Sequence, residues 1–264
     1  MQLDDTDWEL PDHSVETFYD KKNAIALIIP VLNEGERITA QLQAITKLNL
    51  PVDIIIADGG SVDGATSSGA LKEQGVHCLI VKTGSGAMSA QMRAAFAYAL
   101  RCGYSKLINM DGNGKDDVED IRKFLAMLDA GYDCVLPTRF INGGRHHNTP
   151  MLRVLAIKFF HAPLLSLAAR KRMTDTTNSF RGYSREFLLD ERVKPFRAVF
   201  KKYNLPFYLS LKAARLGYRV VEVPTTRSYP VNGTVPTKIS GFGAKLGIVT
   251  ETILASVGHY DPGT

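Results

Sequence analysis

The chain has 264 residues, of which 45% are hydrophobic, and it carries a formal net charge of +5 at pH 7. This length and composition are sufficient for one large domain with a full hydrophobic core. The amino end lacks the basic and apolar segments of a signal peptide, and no uncharged run of about 18 apolar residues indicates a membrane span, so a cytoplasmic protein is expected.

The charge is unevenly distributed along the chain. The first 20 residues contain seven acidic residues and no lysine or arginine, so the remainder is more basic than the total indicates. A basic body predicts an anionic partner, which is nucleic acid, a phospholipid surface or a phosphorylated small molecule. Nucleic acid is not expected as a partner, because no run of interleaved aromatic and basic residues supports it.

Strands and helices alternate in the prediction from residue 23 onward. Residues 1–22 are polar and acidic, with Trp8 as their one large anchor, and are expected to form an extended or loosely docked leader. Short apolar runs indicate buried strands at 24–29, 52–57, 78–81, 107–110, 134–137 and 219–223. Apolar residues at helical spacing indicate helices that begin near residues 34, 87, 117, 150, 206 and 244.

This alternation predicts an α/β fold with a right-handed, mostly parallel sheet flanked by helices. A single domain is expected over residues 23–257, with a docking helix at its carboxyl end and a tail at 258–264. The cysteines have no CxxC spacing and are expected to be reduced core residues rather than a metal or disulfide framework; they are Cys78, Cys102 and Cys134.

The apolar helix predicted at 150–169 has two alternative surroundings. Arg153, Lys158 and His161 are costly at a bilayer centre, which argues against a membrane span. With the basic residues 170–172 behind it, the helix can lie on an anionic membrane surface. A helix packed on the sheet with a basic outer face is the commoner arrangement.

Acidic side chains follow three of the predicted strands, namely Glu34, Asp58 and Asp111. Because the carboxyl ends of parallel strands share one edge of a sheet, these carboxylates are expected at one rim. Cationic loop residues that can face the same rim are Arg139, Arg181 and Lys238. Acids for a metal or a ribose, with cations for phosphate, suit a nucleotide-diphosphate ligand. The segment after Asp111 also fits an ordinary polar β-turn.

Several motifs in order resemble the family-2 glycosyltransferases of GT-A fold. The resemblance covers about residues 23–257, and the branch that looks most similar contains dolichol-phosphate mannose synthase and the bacterial polyprenyl-phosphate sugar transferases. The motifs are Ile28 to Glu34, Asp58 to Gly64, the strand that ends at Asp111, Thr138-Arg139-Phe140, Asp175 to Arg181, and Leu216 to Pro224.

The resemblance implies a role for each matching position. The nucleobase and ribose pocket would be lined by Pro30, Asn33 and Glu34, with Asp58 accepting a hydrogen bond from the base. Asp111 would be the first acid of the metal-binding D-x-D motif and Arg139 would hold the donor diphosphate. Asp175 would lie near the reacting anomeric carbon. The residues implied in binding donor or acceptor phosphate are Arg181 and Lys238.

The sequence departs from the family pattern beside Asp111. The second acid of the motif is Asn113, and Lys115 occupies a position that often ligates metal in the mannose synthases. An amide oxygen coordinates Mg²⁺ or Mn²⁺ weakly, and an ammonium close to a divalent cation is unfavourable. Either a weakened Mg²⁺ or Mn²⁺ site remains at Asp111 and Asn113 with help from Asp116, or Lys115 replaces part of the metal's charge.

The expected reaction is an inverting transfer of a sugar from a nucleotide-diphosphate sugar to a polyprenyl phosphate or to a glycan hydroxyl, in cell-envelope or surface glycan assembly. For a hydroxyl acceptor, Asp175 is the candidate general base; a phosphate acceptor needs none, which leaves Asp175 an orienting role. The expected enzyme is cytoplasmic, with possible peripheral contact at the inner membrane face.

Two other functions remain open on the sequence. A nucleotidyltransferase would use a similar donor site, but the loop Asn33 to Glu36 is not the glycine-rich basic loop expected after its first strand. A non-catalytic nucleotide-sugar-binding module is suggested by Asn113 and Lys115. The motif Glu222 to Pro224 is interpreted as the end of a strand.

Overall fold

The computed structural model describes residues 3–231 and 241–263. Its centre is an eight-stranded sheet with strand order β1-β4-β3-β2-β5-β8-β6-β9, and a second sheet pairs β10 with β7. The strands are β1 His13–Thr17, β2 Ile25–Val31, β3 Asp53–Asp58, β4 Cys78–Lys82, β5 Lys106–Asn109, β6 Cys134–Thr138, β7 Arg145–His147, β8 Arg181–Ser184, β9 Val220–Pro224 and β10 Thr226–Ser228.

Helices cover both faces of the large sheet. They are α1 Glu36–Lys47, α2 Ser68–Glu73, α3 Met88–Arg101, α4 Ile121–Asp129, α5 Met151–Ala156, α6 Ala162–Ala169, α7 Arg185–Leu189, α8 Asn204–Arg215 and α9 Gly241–Ser256. A 3₁₀ turn at Val118–Asp120 precedes α4, and a π-helical turn at Ile157–His161 joins α5 to α6.

All six strands predicted from apolar runs are present, and they run in the same direction. Parallel pairs join β2 to β3 and β5, β3 to β4, and β6 to β9. Strand β2 is buried at every position, as expected for a parallel strand covered on both faces. Its alternate side chains enter two hydrophobic clusters, with Ile28 in one and Leu27 in the other.

Strand β8 was not predicted. It lies between β5 and β6 and is antiparallel to both, and all four of its residues are buried. Its sequence, Arg181-Gly182-Tyr183-Ser184, has no apolar run, so the signal that revealed the other central strands is missing. Gly182 has a packing reason, because a Cβ there would lie 3.1 Å from Leu128 Cδ1.

The acidic leader is docked on the domain rather than separate from it. Its strand β1 pairs antiparallel with β4 at the edge of the sheet. Before this strand, the Trp8 ring stacks on Phe196 with centroids 3.9 Å apart, and Asp5 forms an ion pair with Arg101. The leader therefore places negative charge against basic residues of the body.

The cysteines are free thiols in the described part of the chain, as predicted. Burial raises the pKa of the Cys78 thiol to about 11 and that of Cys134 to about 12, which keeps both uncharged at neutral pH. Cys78 and Cys134 lie in the same hydrophobic cluster as Ile28.

The predicted apolar helix at 150–169 forms as α5, the π turn and α6. Among the described residues, Met151–Ala169 is the one helical stretch long and apolar enough to cross a membrane, and 28% of it is buried in the protein. Its inner side packs on α8 and α9. Large apolar side chains remain on its outer side, including Leu152 at 73% exposed and Phe159 at 77% exposed.

Candidate active site

The candidate site lies at the edge where the parallel strands end. The loops after β2, β3 and β5 are held together there by backbone hydrogen bonds: Gly59 N donates to Val31 O at 2.9 Å, and Gly112 N donates to Pro30 O at 3.2 Å. Gln91 on α3 adds Nε2 hydrogen bonds to Val31 O at 2.8 Å and Ala57 O at 3.0 Å. The predicted gathering of these strand ends at one rim is therefore present.

One end of the rim is built from the loops after β2 and β3. Asn33 adopts a left-handed backbone with φ of 48°, a conformation that asparagine tolerates, and its Oδ1 accepts from Val62 N at 2.8 Å. Glu34 pairs with Arg37 at 2.9 Å. Asp58 is 3% exposed and accepts from the hydroxyls of Ser61 at 2.7 Å and Thr66 at 2.8 Å. These carboxylates thus shape the loops, and the predicted contacts of Pro30, Asn33, Glu34 and Asp58 with a nucleobase and ribose remain predictions.

The loop after β5 is fixed against α1. Gln41 donates from Nε2 to Asp111 O at 3.0 Å and accepts from Gly114 N at 2.9 Å. Gly112 permits the loop to pass close to β2, since a Cβ there would lie 2.9 Å from Val31 Cγ2 and 3.0 Å from Pro30 O. This support holds Asp111 at the rim in one orientation.

The Asp111 carboxylate is surrounded by hydrogen-bond donors. Arg227 Nη2 donates to its Oδ2 at 3.0 Å, and Asn113 Nδ2 donates to the same oxygen at 3.3 Å. The Ser179 hydroxyl donates to Oδ1. Burial raises the pKa of Asp111, but the charges of Arg227 and Lys115 outweigh burial, so its pKa lies below the ordinary value and the group is ionised.

Arg227, on β10, links Asp111 to the buried carboxylate of Asp116. Its Nη1 donates to Asp116 Oδ2 and to Asn178 Oδ1, the latter at 2.8 Å, and Asn178 Nδ2 donates to Asp116 Oδ1 at 2.9 Å. Burial alone would lower the pKa of Arg227, but Asp116 and Asp111 reverse that effect and raise it. The guanidinium is therefore a permanent charge at the centre of the rim.

Four basic side chains surround the phenol of Tyr229, and we refer to Lys115, Arg139, Arg153 and Arg227 as the cation cluster. Arg153 Nη1 lies 2.6 Å from the Tyr229 hydroxyl, and Lys115 Nζ lies 5.3 Å from the centre of its ring. Burial raises the pKa of Tyr229, but the charges of all four cations lower it below its ordinary value. Burial, reinforced by Arg227, lowers the pKa of Lys115 to about 8. Positive potential is thus concentrated beside Asp111.

Arg139 and Asp175 form a buried, two-pronged ion pair. Arg139 Nε lies 2.6 Å from Asp175 Oδ2 and Nη2 lies 3.0 Å from Oδ1, and both side chains are almost fully buried. The backbone around Asp175 is held by Glu222, which accepts from Thr174 N at 2.6 Å. Burial lowers the pKa of Arg139, but Asp175 more than offsets this and raises it. Within the described residues, Arg139 Nη1 has no hydrogen-bond partner.

Comparison with known proteins identifies the family. A sequence model of glycosyl transferase family 2 matches residues 26–190. The chain is 31% identical over 210 residues to the polyprenol monophosphomannose synthase of Mycolicibacterium smegmatis, over 76% of each chain. The chain belongs to glycosyl transferase family 2. It is also 29% identical over 209 residues to the undecaprenyl-phosphate mannosyltransferase of Micrococcus luteus, over 76% of this chain and 82% of that protein.

Solved structures confirm the predicted GT-A fold of this family 2 chain. It resembles glucosyl-3-phosphoglycerate synthase of Mycobacterium tuberculosis in complex with Mn²⁺, uridine diphosphate and glucosyl-3-phosphoglycerate, with a TM-score of 0.62 and 16% identity over 89% of this chain and 80% of that one. The same enzyme with uridine diphosphate alone gives a TM-score of 0.63 at 17% identity, again over 89% and 80% of the two chains. At these identities the likeness shows the fold and not the substrates.

One predicted phosphate ligand of this glycosyltransferase, Arg181, does not lie at the rim. The prediction for Arg181 is wrong, because it lies on β8 in the core, where its guanidinium donates to Thr176 O at 2.8 Å, Ser210 Oγ at 2.7 Å and the backbone oxygens of Asn178 and Pro206. Arg181 lies on a strand that is antiparallel to β5, so its side chain is buried in the core and does not project from a loop. Lys238 lies outside the described residues.

The described side chains do not fit a divalent cation at Asp111 in this arrangement. Asn113 directs its NH₂ group towards Asp111, while its oxygen accepts from Lys115 N at 3.3 Å. A cation prefers several oxygen ligands, yet the described residues contain no group of three or more histidine, cysteine or acidic side chains that could hold one. The predicted metal ligands Asp111 and Asn113 are therefore not supported by the geometry.

Arg227, Tyr229 and Glu222 were missed as site residues. Arg227 and Tyr229 follow Pro224 by a few positions, outside every motif used in the prediction, and their contacts with Asp111 and Lys115 join segments more than 100 residues apart. Glu222 was identified only as part of a strand end. The one signal in the sequence that could have identified Glu222 was a carboxylate within an otherwise apolar strand.

We expect Asp175→Ala to destabilise the protein by about 3–5 kcal/mol, because it leaves the buried Arg139 guanidinium without its counter-charge. Urea denaturation measures this loss. The matched control is Arg192→Ala, which breaks the surface pair with Asp190, where Arg192 is 63% exposed. That variant should lose at most about 1 kcal/mol. Equal losses in the two variants would contradict the buried pair.

Proposed function

We propose that this chain transfers a hexose from a nucleotide-diphosphate sugar to a polyprenyl phosphate, with inversion at the anomeric carbon, in the assembly of envelope or surface glycans. The observation that supports it most directly is the cation cluster beside Asp111. Among the described residues, four cations lie around one phenol while three carboxylates, Asp111, Asp116 and Asp175, pair with two of them, and a diphosphate would add negative charge at this site.

The chemistry of such a transfer fits a preorganised cationic rim. The acceptor oxygen forms a bond to the anomeric carbon as the bond from that carbon to the diphosphate oxygen breaks, and the nucleoside diphosphate leaves with the electron pair. Charge therefore accumulates on the departing diphosphate. Fixed cations at Lys115, Arg139 and Arg227 would stabilise that charge without reorganising during the reaction.

The environment of Asp175 favours a phosphate acceptor over a hydroxyl acceptor. Both oxygens of Asp175 accept from Arg139 and its side chain is fully buried, so the carboxylate is poorly placed to remove a proton from an acceptor. A polyprenyl phosphate is already anionic and requires no base. In this proposal Asp175 orients Arg139, and Glu222 holds the backbone that bears Asp175.

The relatives support the same acceptor class. The Mycolicibacterium smegmatis protein is a polyprenol monophosphomannose synthase and the Micrococcus luteus protein is an undecaprenyl-phosphate mannosyltransferase. Both names describe a lipid phosphate that receives a sugar. Membership of a glycosyl transferase family also favours glycosyl transfer over nucleotidyl transfer and over the non-catalytic module that the sequence alone left open.

A lipid acceptor requires the site to face a membrane, and the stretch Met151–Ala169 offers a suitable surface. Its outer side exposes Leu152, Phe159 and Leu167, the last at 80%. The exposed basic residues Arg170 and Lys171 follow at its end and can contact anionic headgroups.

The inner side of the same helix touches the cation cluster. Arg153 bonds the Tyr229 hydroxyl, and Lys158 Nζ lies 5.0 Å from the ring centre of Phe140, the neighbour of Arg139. A lipid phosphate at the membrane surface would thus be close to the donor. We therefore propose peripheral attachment to the cytoplasmic face of a membrane.

The direct test is transfer of labelled hexose from a panel of nucleotide-diphosphate sugars to undecaprenyl phosphate in detergent. We expect one donor to give a lipid-linked product of inverted anomeric configuration, assigned by NMR. We expect Lys115→Gln to slow transfer about 100-fold, as for the loss of one electrostatic contact to a leaving group.

The matched control is Lys47→Gln, which removes an exposed charge at the end of α1 and should not change the rate. Two results would contradict the proposal. One is pyrophosphate release from a nucleoside triphosphate and a sugar phosphate, which indicates a nucleotidyltransferase. The other is donor binding without transfer to any acceptor, which indicates a binding module.

We expect the double variant Leu152→Glu, Phe159→Glu to bind vesicles containing phosphatidylglycerol more weakly, by about tenfold for each apolar side chain withdrawn from the lipid. Cosedimentation measures the change. Val62→Glu, at a residue that is 90% exposed on the loop after β3, is the control and should bind as the wild type does. Unchanged binding of the double variant would exclude this helix as the membrane contact.

A further inference from the structure

Arg227 lies between Asp111 and Asp116, the two carboxylates at which the sequence predicted a metal site. Its guanidinium bridges Asp111, with Nη2 to Oδ2 at 3.0 Å, and Asp116, and both bonds are also ion pairs. The side chain is 7% exposed. An isolated β-bridge between Asp116 and Arg227 fixes the two backbones together. The Arg227 guanidinium is therefore a buried group that ion pairs and backbone pairing hold in position at the rim.

The partners of Asp111 leave little room for a second cation. Ser179 donates to one of its oxygens, and Arg227 and Asn113 donate to the other. Every one of these neighbours presents hydrogens to the carboxylate. A divalent cation would require them to withdraw, and it would lie against a guanidinium that cannot lose its charge.

The departure at Asn113 fits the same explanation. An aspartate at position 113 would add a negative charge, which a divalent cation could balance. The single positive charge of Arg227 is already shared by Asp111 and Asp116. Asn113 is neutral, and its Nδ2 acts as a further donor to Asp111. The position that departs from the D-x-D pattern and the arginine that lies beside it are thus complementary.

Arg227 also retains hydrogens for a ligand. A guanidinium has five N–H donors. Nη1 uses two of them on Asp116 and Asn178, and Nη2 uses one on Asp111. The described partners thus leave the Nε hydrogen and one Nη2 hydrogen for the oxygens of a phosphate. Lys115 lies in the same cluster and is 6% exposed.

We propose that Arg227 replaces the divalent cation of this site, so that the donor diphosphate is bound by Arg227 and Lys115 and sugar transfer proceeds without metal. The proposal rests on the proposed glycosyl transfer. In the step itself, the acceptor oxygen bonds to the anomeric carbon, the bond from that carbon to the diphosphate breaks, and the nucleoside diphosphate departs with the electron pair. The negative charge that it gains is balanced by the two side-chain cations.

The activity test compares transfer in EDTA with transfer in Mn²⁺. We expect the wild type to be as fast in EDTA as in Mn²⁺. Arg227→Gln should be slowed about 100-fold in EDTA, in line with the loss of one preorganised charge contact. Mn²⁺ should restore part of the lost rate, because the variant frees Asp111 and Asp116 to bind it. Arg122→Gln, which removes a half-exposed arginine on α4, is the control and should leave the rate unchanged.

A second measurement does not depend on transfer. Titration of Mn²⁺ followed by electron paramagnetic resonance reports the free ion, so bound metal appears as lost signal. We expect no site in the wild type and one site in Arg227→Gln that disappears in the double variant with Asp111→Asn. Thermal unfolding of each variant separates a lost site from a lost fold, and Arg227→Lys, which keeps the charge, is the alternative if the glutamine variant does not fold.

The outcomes separate this inference from the proposed function. A wild-type enzyme that stops in EDTA and recovers in Mn²⁺ overturns the inference and leaves the glycosyltransferase function intact. Wild-type Mn²⁺ binding that Asp111→Asn abolishes also overturns it. Absence of transfer with every donor, with or without metal, contradicts the proposed function, while the resonance titration still decides whether Arg227 occupies the metal position.

Discussion

The rim of this glycosyltransferase depends on the neutralisation of buried carboxylates. At the end of the sheet Asp116 is buried and the Asp111 side chain is 17% exposed, and a buried charge without a partner costs several kcal/mol. Arg227 supplies the counter-charge to both and ties together β10, the loop after β5 and the segment that carries Asn178. Without the Arg227 side chain, these segments would lose the counter-charge shared by Asp111 and Asp116, one of the contacts that join them.

The other members of the cation cluster lie beside this arrangement, around Tyr229. Arg139 is balanced by Asp175, while Lys115 and Arg153 gather around Tyr229. The helix Met151–Ala169 joins this cluster to an exposed apolar surface through Arg153, which contacts the Tyr229 hydroxyl. Under the proposed function, donor, lipid acceptor and membrane would meet at this edge of the protein.

The sequence was sufficient for features that depend on local patterns. The apolar runs at 24–29 and 52–57 identified the buried parallel strands β2 and β3, and topology alone then placed Asp58 and Asp111 on one edge. Strand β8 escaped because Arg181 and Ser184 are buried by their neighbours β5 and β6 and not by their own hydrophobicity. The same error placed Arg181 in a phosphate site.

Features that depend on distant contacts were not accessible from the sequence. The partnership of Arg227 with Asp111 and Asp116 joins residues more than 100 positions apart, and no spacing rule connects them. The strand β1 is acidic and mostly exposed, so its place at the sheet edge has no hydrophobic signal. The departures from the family pattern at Asn113 and Lys115 were visible in the sequence. Their explanation required the structure, because only the structure places the Arg227 guanidinium beside them.

The central claim is that this rim binds the diphosphate of a nucleotide donor. Thermal unfolding in the presence of each common nucleoside diphosphate, with and without Mn²⁺, tests it most directly. The account predicts that one nucleoside diphosphate raises the melting temperature of the wild type, that its nucleoside without phosphates does not, and that Lys115→Gln weakens the effect. Failure of every nucleoside diphosphate and nucleotide sugar to change the melting temperature, in either condition, would contradict it.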